Sequence, residues 1–370
     1  MDYNNFYPGW GSSRTYSAKI GGMKMSYSAT IEKWKGEDVI RLSAGTYTAT
    51  IAPFLGSNVI RMQDSATGID FFRNDETRTI EEIKADPVTW GFPTLYLHNR
   101  LSGGRLKCSD HTYQFPINEP AFGNAIHGFL HQRAHTIVSA DTTASAAVAK
   151  TSYTYDEKDP MFETFPVKFR ADYTFSLEAN GLHYSFTMTN LSDDRQLPFG
   201  MCNHTAFKGP FVEDSDGMNV RLYLPIGEKW EIDGNRIPTL DMLPHGNHDR
   251  QYMTGSLIPV KQDIDNDTYS SVIGDLDGRE FRGAVMSDVK AKVDIVYEVT
   301  DDFKFWIVWN DEGEKEYFCV EPMTWMIDAP NLPIPGEESG YLELAPGESK
   351  TVKERVYARK STVQTPAQLK

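Results

Sequence analysis

The sequence of 370 residues predicts an all-β protein. Apolar and polar residues alternate over residues 167–177 and again over residues 182–188, as in strands that bury one face. Asn180-Gly181 lies between these two runs, and Asn-Gly between alternating segments is a strong signal for a β-hairpin with a type I′ turn. Helical periodicity is scarce. Many strands joined by turns, without alternating helices, indicate a β-sandwich or a barrel rather than an α/β fold.

Further strands and one short helix are predicted along the rest of the chain. The alternating runs that predict strands cover residues 48–54, 220–224, 292–299 and 304–309. Near the C-terminus, residues 341–344 and 351–357 flank Pro346-Gly347, which predicts a last hairpin with a Pro-Gly turn. The segment 75–84 predicts the helix.

The domain organisation is predicted to be simple, because no linker composition and no internal repeat divides the chain. We predict an irregular N-terminal leader or edge strands over residues 1–40, a single β-sandwich domain over residues 41–360, and a C-terminal tail over residues 361–370. The composition, with 40% hydrophobic and 24% charged residues, is typical of a globular chain.

The net charge and the cysteine content indicate which kinds of partner the protein can bind and in which cellular compartment it is found. The net charge of −15 argues against a nucleic-acid partner, since a polyanion would be repelled. The chain has no run of ~18 consecutive apolar residues, which a membrane span needs, and no secretory signal pattern at its start. Cys108, Cys202 and Cys319 are odd in number and widely spaced, as in free thiols of a reducing compartment. We predict a cytoplasmic protein without a membrane partner.

Polar clusters in apolar or Gly/Pro-rich surroundings are the candidates for a functional site. They are Asn99-Arg100, His127-Gly128, Asn203-His204, Glu321-Pro322 and the acidic stretch 263–267. Each has an ordinary structural explanation when taken alone. A single His after a strand is more often a satisfied core or surface residue than a functional one. No cluster by itself therefore assigns a function.

The sequence contains few signs of a metal-binding or cofactor-binding site. His127, His131 and His135 recur at four-residue spacing, and two His residues at this spacing on a helix can bind zinc. However, Gly128 interrupts the segment, and neither a Glu at a base position nor a fourth ligand accompanies it. A Gly-x-Ser-x-Gly elbow and a Gly-rich phosphate loop are also missing. We predict no metal and no cofactor.

Taken together and in order, the motifs resemble those of the aldose 1-epimerase family, whose members are galactose mutarotase-like. The resemblance covers about residues 40–358. The segments that carry it are TATIAPFLG at 48–56, GFPTLYLHNRL at 91–101, IHGF at 126–129, LPFG at 197–200, HTAF at 204–207, VEPMT at 320–324 and LAPGE at 344–348. The resemblance implies a large antiparallel β-sandwich of the galactose mutarotase type. It also implies a cofactor-free isomerase that interconverts the α and β anomers of a sugar.

The same resemblance implies two catalytic residues. Glu321 would be the base that takes the proton from the anomeric O1 hydroxyl, and His204 the acid that protonates the ring oxygen. The two proton transfers suit side chains whose pKa values lie near the working pH. With both transfers supplied by side chains, the chemistry requires neither a metal nor a nicotinamide.

The residues implied to bind the substrate are Asn99, Arg100, His127 and one aspartate. Asp265 keeps the Ile-Asp pair that is usual in the family, and Asp267 is the second candidate. The expected partner is a monosaccharide, and the protein is expected to be a monomer or a homodimer.

Three other functions compete with this one. The His-Gly-Phe of residues 127–129 also occurs in the hexose-6-phosphate 1-epimerase branch, where Ala-Arg usually follows; here Leu-His follows, so Arg133 or Arg105 would have to anchor the phosphate. A non-catalytic sugar-binding or regulatory member usually lacks the acid or the base, whereas His204 and Glu321 are both present. A glycoside hydrolase with paired carboxylates would leave the His204 motif unexplained.

Overall fold

The computed structural model of the protein describes residues 14–20, 23–313 and 315–361. They form mainly antiparallel strands in three large sheets, which confirms the all-β prediction. The first sheet has six strands that follow one another both in sequence and in space: Arg14–Ile20, Met23–Trp34, Glu37–Ala44, Tyr47–Ala52, Asn58–Asp64 and Ile69–Asp70.

The second and third sheets are larger and form the body of a β-sandwich. In spatial order, the strands of the second sheet are Thr136–Thr142, Ala146–Tyr155, Phe169–Glu178, Gly181–Asn190, Ser349–Lys360, Val293–Val299, Gly283–Asp288 and Val220–Tyr223. The strands of the third sheet are Pro238–Leu243, Ile226–Ile232, Asp267–Ser271, Phe305–Trp309, Tyr317–Met323, Cys202–Asn203 and Thr94–Leu95, with Ala206–Lys208 also paired to Tyr317–Met323.

Shorter elements complete the described part of the chain. The two-stranded pairs are Arg100–Ser102 with Asn124–Ile126, Arg105–Lys107 with Thr112–Gln114, Leu197–Pro198 with Glu343–Leu344, and Gly274–Leu276 with Arg279–Phe281. The 3₁₀ turns are Pro53–Leu55, Leu130–Gln132, Gly217–Asn219 and Ala329–Asn331.

Period-2 alternation places the core between the sheets. Strand Phe169–Glu178 buries every second side chain, starting at Phe169, and leaves the intervening ones exposed or half-buried. Aromatic rings from different sheets meet in the resulting core. Tyr297 of the second sheet lies edge-on to Trp306 of the third, with 6.2 Å between ring centroids. Edge-to-face contacts of this kind add to the stabilisation that burial provides.

The strands predicted from alternation are found within a few residues of their expected bounds. Those predicted at 48–54, 220–224, 292–299 and 304–309 correspond to Tyr47–Ala52, Val220–Tyr223, Val293–Val299 and Phe305–Trp309.

The predicted hairpin near residue 180 is confirmed, but its turn is shifted by one residue. Glu178 pairs with Gly181, so residues 179–180 form the loop. Gly181 has a φ of 113°, and a Cβ added there would lie 2.4 Å from the backbone oxygen of Val356. The glycine is therefore required by the close approach of strand Ser349–Lys360, in a conformation that L-residues with side chains avoid.

The predicted last hairpin is wrong. Glu343–Leu344 pairs with Leu197–Pro198, whereas Ser349–Lys360 pairs with Gly181–Asn190 on one edge and Val293–Val299 on the other. The Pro-Gly turn carries the chain from one sheet to another. A turn signal marks a change of direction, but it does not select the strand that offers the pairing edge.

Helices are few, as expected. The helix predicted over 75–84 is found as Ile80–Ala85. It begins at a capping box, in which the Thr79 hydroxyl accepts a hydrogen bond from the Glu82 amide and the Glu82 carboxylate accepts one from the Thr79 amide. Two further helices are Asn247–Thr254 and Gly336–Ser339. Within the described ranges, no helix combines the length and apolar character that membrane crossing requires.

The N-terminal boundary expected at residue 41 falls inside strand Glu37–Ala44. Strands Arg14–Ile20 and Met23–Trp34 lie in the same sheet as Glu37–Ala44. Residues 1–13 of the expected leader and 362–370 of the expected tail lie outside the described residues.

Candidate active site

Strand Tyr317–Met323 brings the two predicted catalytic residues together. Cys202 pairs with Met323 and Ala206 pairs with Cys319, so the short segment between Cys202 and Ala206 runs along this strand beside Glu321. His204 lies in that segment, and its Nε2 is 3.3 Å from Oε1 of Glu321. Both residues are buried, with 5% and 2% of their surfaces exposed.

The His204–Glu321 pair lies at a cavity of about 180 Å³. Asn99, Arg100 and His127, which were predicted to bind the substrate, also line it, so the family motifs meet at one location although they are far apart in the sequence. The lining residues are Val88, Thr89, Asn99, Arg100, Ile126, His127, His204, Asn266, Trp309 and Glu321. We refer to this cavity as the cleft.

Burial controls the protonation of the catalytic pair. It raises the pKa of Glu321 to about 8, an effect that the nearby Arg100 charge partly opposes. It lowers the pKa of His204 to about 4, because removing a group from water disfavours its charged form. Between these values the pair carries one proton, which the 3.3 Å contact allows either residue to hold. One group can then donate a proton while the other accepts one.

His127 contacts His204 from the adjacent wall. The two imidazole rings are perpendicular, with centroids 5.3 Å apart. Burial, and then the His204 charge, lower the pKa of His127 well below its usual value, so the ring is neutral near pH 7. The His127 amide donates to the Asn99 carbonyl over 2.9 Å, and both residues have positive φ values, 67° and 52°. This contact joins two of the predicted motifs directly.

Gly128 explains the His-Gly motif in steric terms. Its φ is 58°, and an added Cβ would lie 2.2 Å from the Leu97 nitrogen and 2.2 Å from the Tyr96 oxygen. Only glycine allows the main chain to pass this close. The orientation of His127 in the cleft therefore depends on its neighbour.

Arg100 is held by residues that no sequence motif indicated. Its Nε donates to both carboxylate oxygens of Glu119, at 3.1 and 2.8 Å, and its Nη2 donates to Oε1 at 2.8 Å. Asn124 Nδ2 donates to the same carboxylate at 3.1 Å. The guanidinium is thus fixed at the cleft with its charge paired. Glu119 lies 19 residues from Arg100 in the sequence, and no motif around it indicated that it would pair with Arg100.

The acidic stretch 263–267 contributes a different residue from the predicted one. Asn266 lines the cleft, whereas Asp265 and Asp267 do not. The half-exposed Asp265 pairs with Arg236, and Asp267 accepts hydrogen bonds from other side chains of its region. Asn266 has a φ of 60°, and its side-chain amide donates to the Asp265 carboxylate over 2.8 Å.

Asn203 anchors the segment that carries His204. Its side chain donates to Glu354 at 2.7 Å and accepts from Thr94 at 2.7 Å, while Tyr297 donates to the other oxygen of Glu354. Burial raises the pKa of Glu354 to about 7. A smaller residue at position 203 could not make these bonds between the sheets, so they account for asparagine there.

The His residues at four-residue spacing do not converge. His135 lies elsewhere in the core, with Nδ1 bonded to the Ser57 hydroxyl over 2.8 Å, and His131 does not line the cleft. Within the described residues, the group that could hold a metal is instead His204, Cys319 and Glu321, whose donor atoms all lie within 4.8 Å of one another.

Comparison with known proteins shows which family and which solved structures this chain is similar to. The aldose 1-epimerase family profile matches residues 33–357. A galactose mutarotase-like protein from Clostridium acetobutylicum superposes with a TM-score of 0.87 at 29% identity, over 90% of this chain and 98% of that one. Galactose 1-epimerase from Lactobacillus acidophilus shares the fold, with a TM-score of 0.64 at 13% identity over 95% and 100% of the chains.

A curated relative, the chromosomal LacX protein of Lactococcus lactis subsp. lactis, is 23% identical over 242 residues, which cover 65% of this chain and 76% of LacX. The family match extends over most of the sequence and includes every cleft residue named above. The chain therefore belongs to the aldose 1-epimerase family.

Proposed function

We propose that this protein is an aldose 1-epimerase that interconverts the α and β anomers of an unphosphorylated monosaccharide. The observation that carries the proposal is the buried contact of 3.3 Å between His204 Nε2 and Glu321 Oε1 at the cleft. Mutarotation requires one group that accepts a proton and a second that donates one, and this pair holds a single proton over a wide pH range.

In the proposed reaction, the pair's single proton first passes from Glu321, which burial keeps protonated, to His204 across their 3.3 Å contact. The Glu321 carboxylate then accepts the O1 proton while His204 donates a proton to the ring oxygen. The bond between C1 and the ring oxygen breaks, leaving an open-chain aldehyde. After rotation about the C1–C2 bond, the same two proton transfers run in reverse and close the ring on the other face. The pair recovers its original proton, so no cofactor is consumed.

The remaining cleft residues would hold the sugar. Arg100 uses Nε and Nη2 for Glu119, which leaves Nη1 to donate to a substrate hydroxyl. Neutral His127 and Asn266 would bind further hydroxyls. The Trp309 ring, 6.0 Å from the His204 ring, would provide an apolar surface for the carbon face of the sugar.

The charge distribution favours a neutral sugar over a hexose 6-phosphate. Arg133, one anchor considered for the phosphate, makes two bonds to Asp159, at 2.6 and 3.0 Å. Neither Arg133 nor Arg105 lines the cleft, and the charge of Arg100 is paired with Glu119. Among the described lining residues, no unpaired cation remains for a phosphate dianion.

A non-catalytic sugar-binding function and a glycoside hydrolase activity receive less support. A protein that only binds sugar would not need an acid and a base in contact. A glycoside hydrolase would need a second carboxylate across the cleft from Glu321, and among the described lining residues Glu321 is the only carboxylate.

The direct test is polarimetry on freshly dissolved α-glucose and α-galactose. We expect the protein to bring both sugars to anomeric equilibrium faster than buffer alone does. At the same concentration, glucose 6-phosphate should not react faster than glucose. Acceleration confined to the phosphorylated sugar would contradict the proposed substrate class. Saturable sugar binding without acceleration would instead support the binding function.

The pH dependence of kcat/KM should form a plateau between about pH 4 and about pH 8, set by His204 and Glu321 in the free enzyme. Below pH 4 the pair takes up a second proton and has no base; above pH 8 it loses its only proton and has no acid. The rate should therefore fall about tenfold per pH unit beyond each limit. Polarimetry from about pH 3.5 to about pH 9.5 measures the profile, and a steady rise up to about pH 9 would contradict a singly protonated active pair.

Replacing Arg100 by lysine should weaken substrate binding by about 1–3 kcal/mol, because the positive charge remains but the planar guanidinium group and its fixed N–H donors are lost. We expect KM to rise with little change in kcat. Glu119→Gln is the control, since it weakens the ion pair and leaves Arg100 in place. An equal rise in KM in both variants would mean that the ion pair, and not a bond from Arg100 to the sugar, is responsible.

A further inference from the structure

A thiol lies beside the proposed catalytic pair, and the acid–base mechanism does not use it. Cys319 and Glu321 are two residues apart on strand Tyr317–Met323 and so project from the same face. Phe318 and Val320, on the opposite face, belong to the large core. Cys319 packs in a separate small cluster on the cleft side, with Trp309 against it.

The three donor types on this face form a set suited to a metal. An imidazole from His204, a thiol from Cys319 and a carboxylate from Glu321 lie within 4.8 Å of one another, and all three residues are buried. Mixed sulfur, nitrogen and oxygen ligands suit borderline or soft divalent cations, Zn²⁺ above all, and do not suit Mg²⁺ or Ca²⁺.

The distances support this assignment. Metal–ligand bonds of about 2.0–2.3 Å in a tetrahedron place the ligand atoms roughly 3.3–3.6 Å apart. The His204 Nε2 and Glu321 Oε1 atoms are already 3.3 Å apart. Because the donor atoms lie within 4.8 Å of one another, the Cys319 sulfur would need to approach by at most roughly 1.2–1.5 Å to complete three corners. The fourth corner would face the cleft and hold water or a sugar hydroxyl.

We propose that His204, Cys319 and Glu321 together bind a thiophilic divalent cation such as Zn²⁺, and that the bound cation inhibits the enzyme. Inhibition rests on the proposed function, whereas binding of the cation does not. A cation held by His204 Nε2 and Glu321 Oε1 occupies the lone pairs that would exchange protons with the sugar. The catalytic pair is then blocked without any change of fold.

Binding requires a proton balance. Cys319 must give its thiol proton to solvent and bind as a thiolate, and Glu321 must bind as a carboxylate. Zn²⁺ has no redox chemistry, so no electron is transferred. Zinc affinity should therefore increase with pH, and zinc binding in a weakly buffered solution should release protons.

The test compares Cys319→Ala with Cys108→Ala, which removes a buried thiol that is not one of the three donors. Polarimetric rates are measured at increasing zinc concentration, and each variant is normalised to its own rate without zinc. Wild type and Cys108→Ala should be inhibited alike and recover on addition of EDTA, whereas Cys319→Ala should require at least about tenfold more zinc. Equal zinc sensitivity of all three proteins, or equal inhibition by Mg²⁺, would overturn the proposal.

A second readout is independent of activity. Co²⁺ added in place of Zn²⁺ should give the absorption of a thiolate–cobalt bond in wild type and Cys108→Ala. This absorption should be lost in Cys319→Ala and weakened in Glu321→Gln, with circular dichroism confirming that each variant is folded. If wild type shows no thiolate–cobalt absorption, the metal site is wrong whether or not the protein is a mutarotase. If the absorption is present but no sugar is epimerised, the proposed function fails while the metal site stands.

Discussion

Replacing Glu321 by Gln, or His204 by Asn, is expected to lower kcat for mutarotation by about 10²–10⁴-fold, the usual contribution of one general acid or base. Glu321→Gln preserves the shape of the side chain, and His204→Asn leaves a shorter neutral polar group; each change removes the proton transfer of the residue that it replaces. Both residues are at least nine-tenths buried, and burial favours the neutral form of each. Neutral replacements should therefore leave the folded state intact, as thermal unfolding would show.

The double variant gives a stricter test of the pair. If His204 and Glu321 act as one unit, the double variant should be scarcely slower than the slower single variant, because the loss of either partner already disables the exchange. Glu32→Gln and His183→Asn make the same chemical changes outside the cleft lining and serve as controls. Near-normal turnover in the double variant would exclude both residues from catalysis.

Replacing Gly128 by Ala is expected to destabilise the protein by about 2–5 kcal/mol, the sum of about 1–2 kcal/mol for a left-handed backbone and about 1–3 kcal/mol for overpacking. The new Cβ would meet main-chain atoms of Tyr96 and Leu97 at 2.2 Å. Main-chain atoms cannot rotate aside, and the Phe129 amide is bonded to the Tyr96 carbonyl over 3.1 Å. Denaturant unfolding measures the change in the free energy of unfolding.

Gly103 offers a matched control for this prediction. Its φ is 61°, close to the 58° of Gly128, but nothing lies within 4 Å of a Cβ added there. Gly103→Ala should therefore show only the backbone cost of about 1–2 kcal/mol. If the two variants lose equal stability, steric contact is not the reason for glycine beside His127. A loss of activity confined to Gly128→Ala would also show that His127 has been displaced.

The all-β class and many of the strands could be predicted from local sequence patterns, because alternation is a local property that burial of one sheet face imposes on any such strand. The run at 167–177 predicted strand Phe169–Glu178 without knowledge of its neighbours. The motifs around Asn99, Arg100, His127, His204 and Glu321 also identified residues that line one cleft. They did so through family resemblance, since each has an ordinary explanation when taken alone.

Which strands pair and which side chains meet depends on the packing of the whole chain, and local patterns did not predict it. Glu343–Leu344 pairs with Leu197–Pro198 and not with the predicted partner at 351–357. The reason is that strand pairing depends on which sheet edge is available and not on the turn that precedes the strand. Asn266, rather than Asp265, reached the cleft because loop dihedrals set the direction of each successive side chain. Glu119 beside Arg100 and Cys319 beside His204 are contacts between segments distant in sequence. Such contacts result from the packing of the whole sandwich, so they could not be predicted from a local sequence pattern.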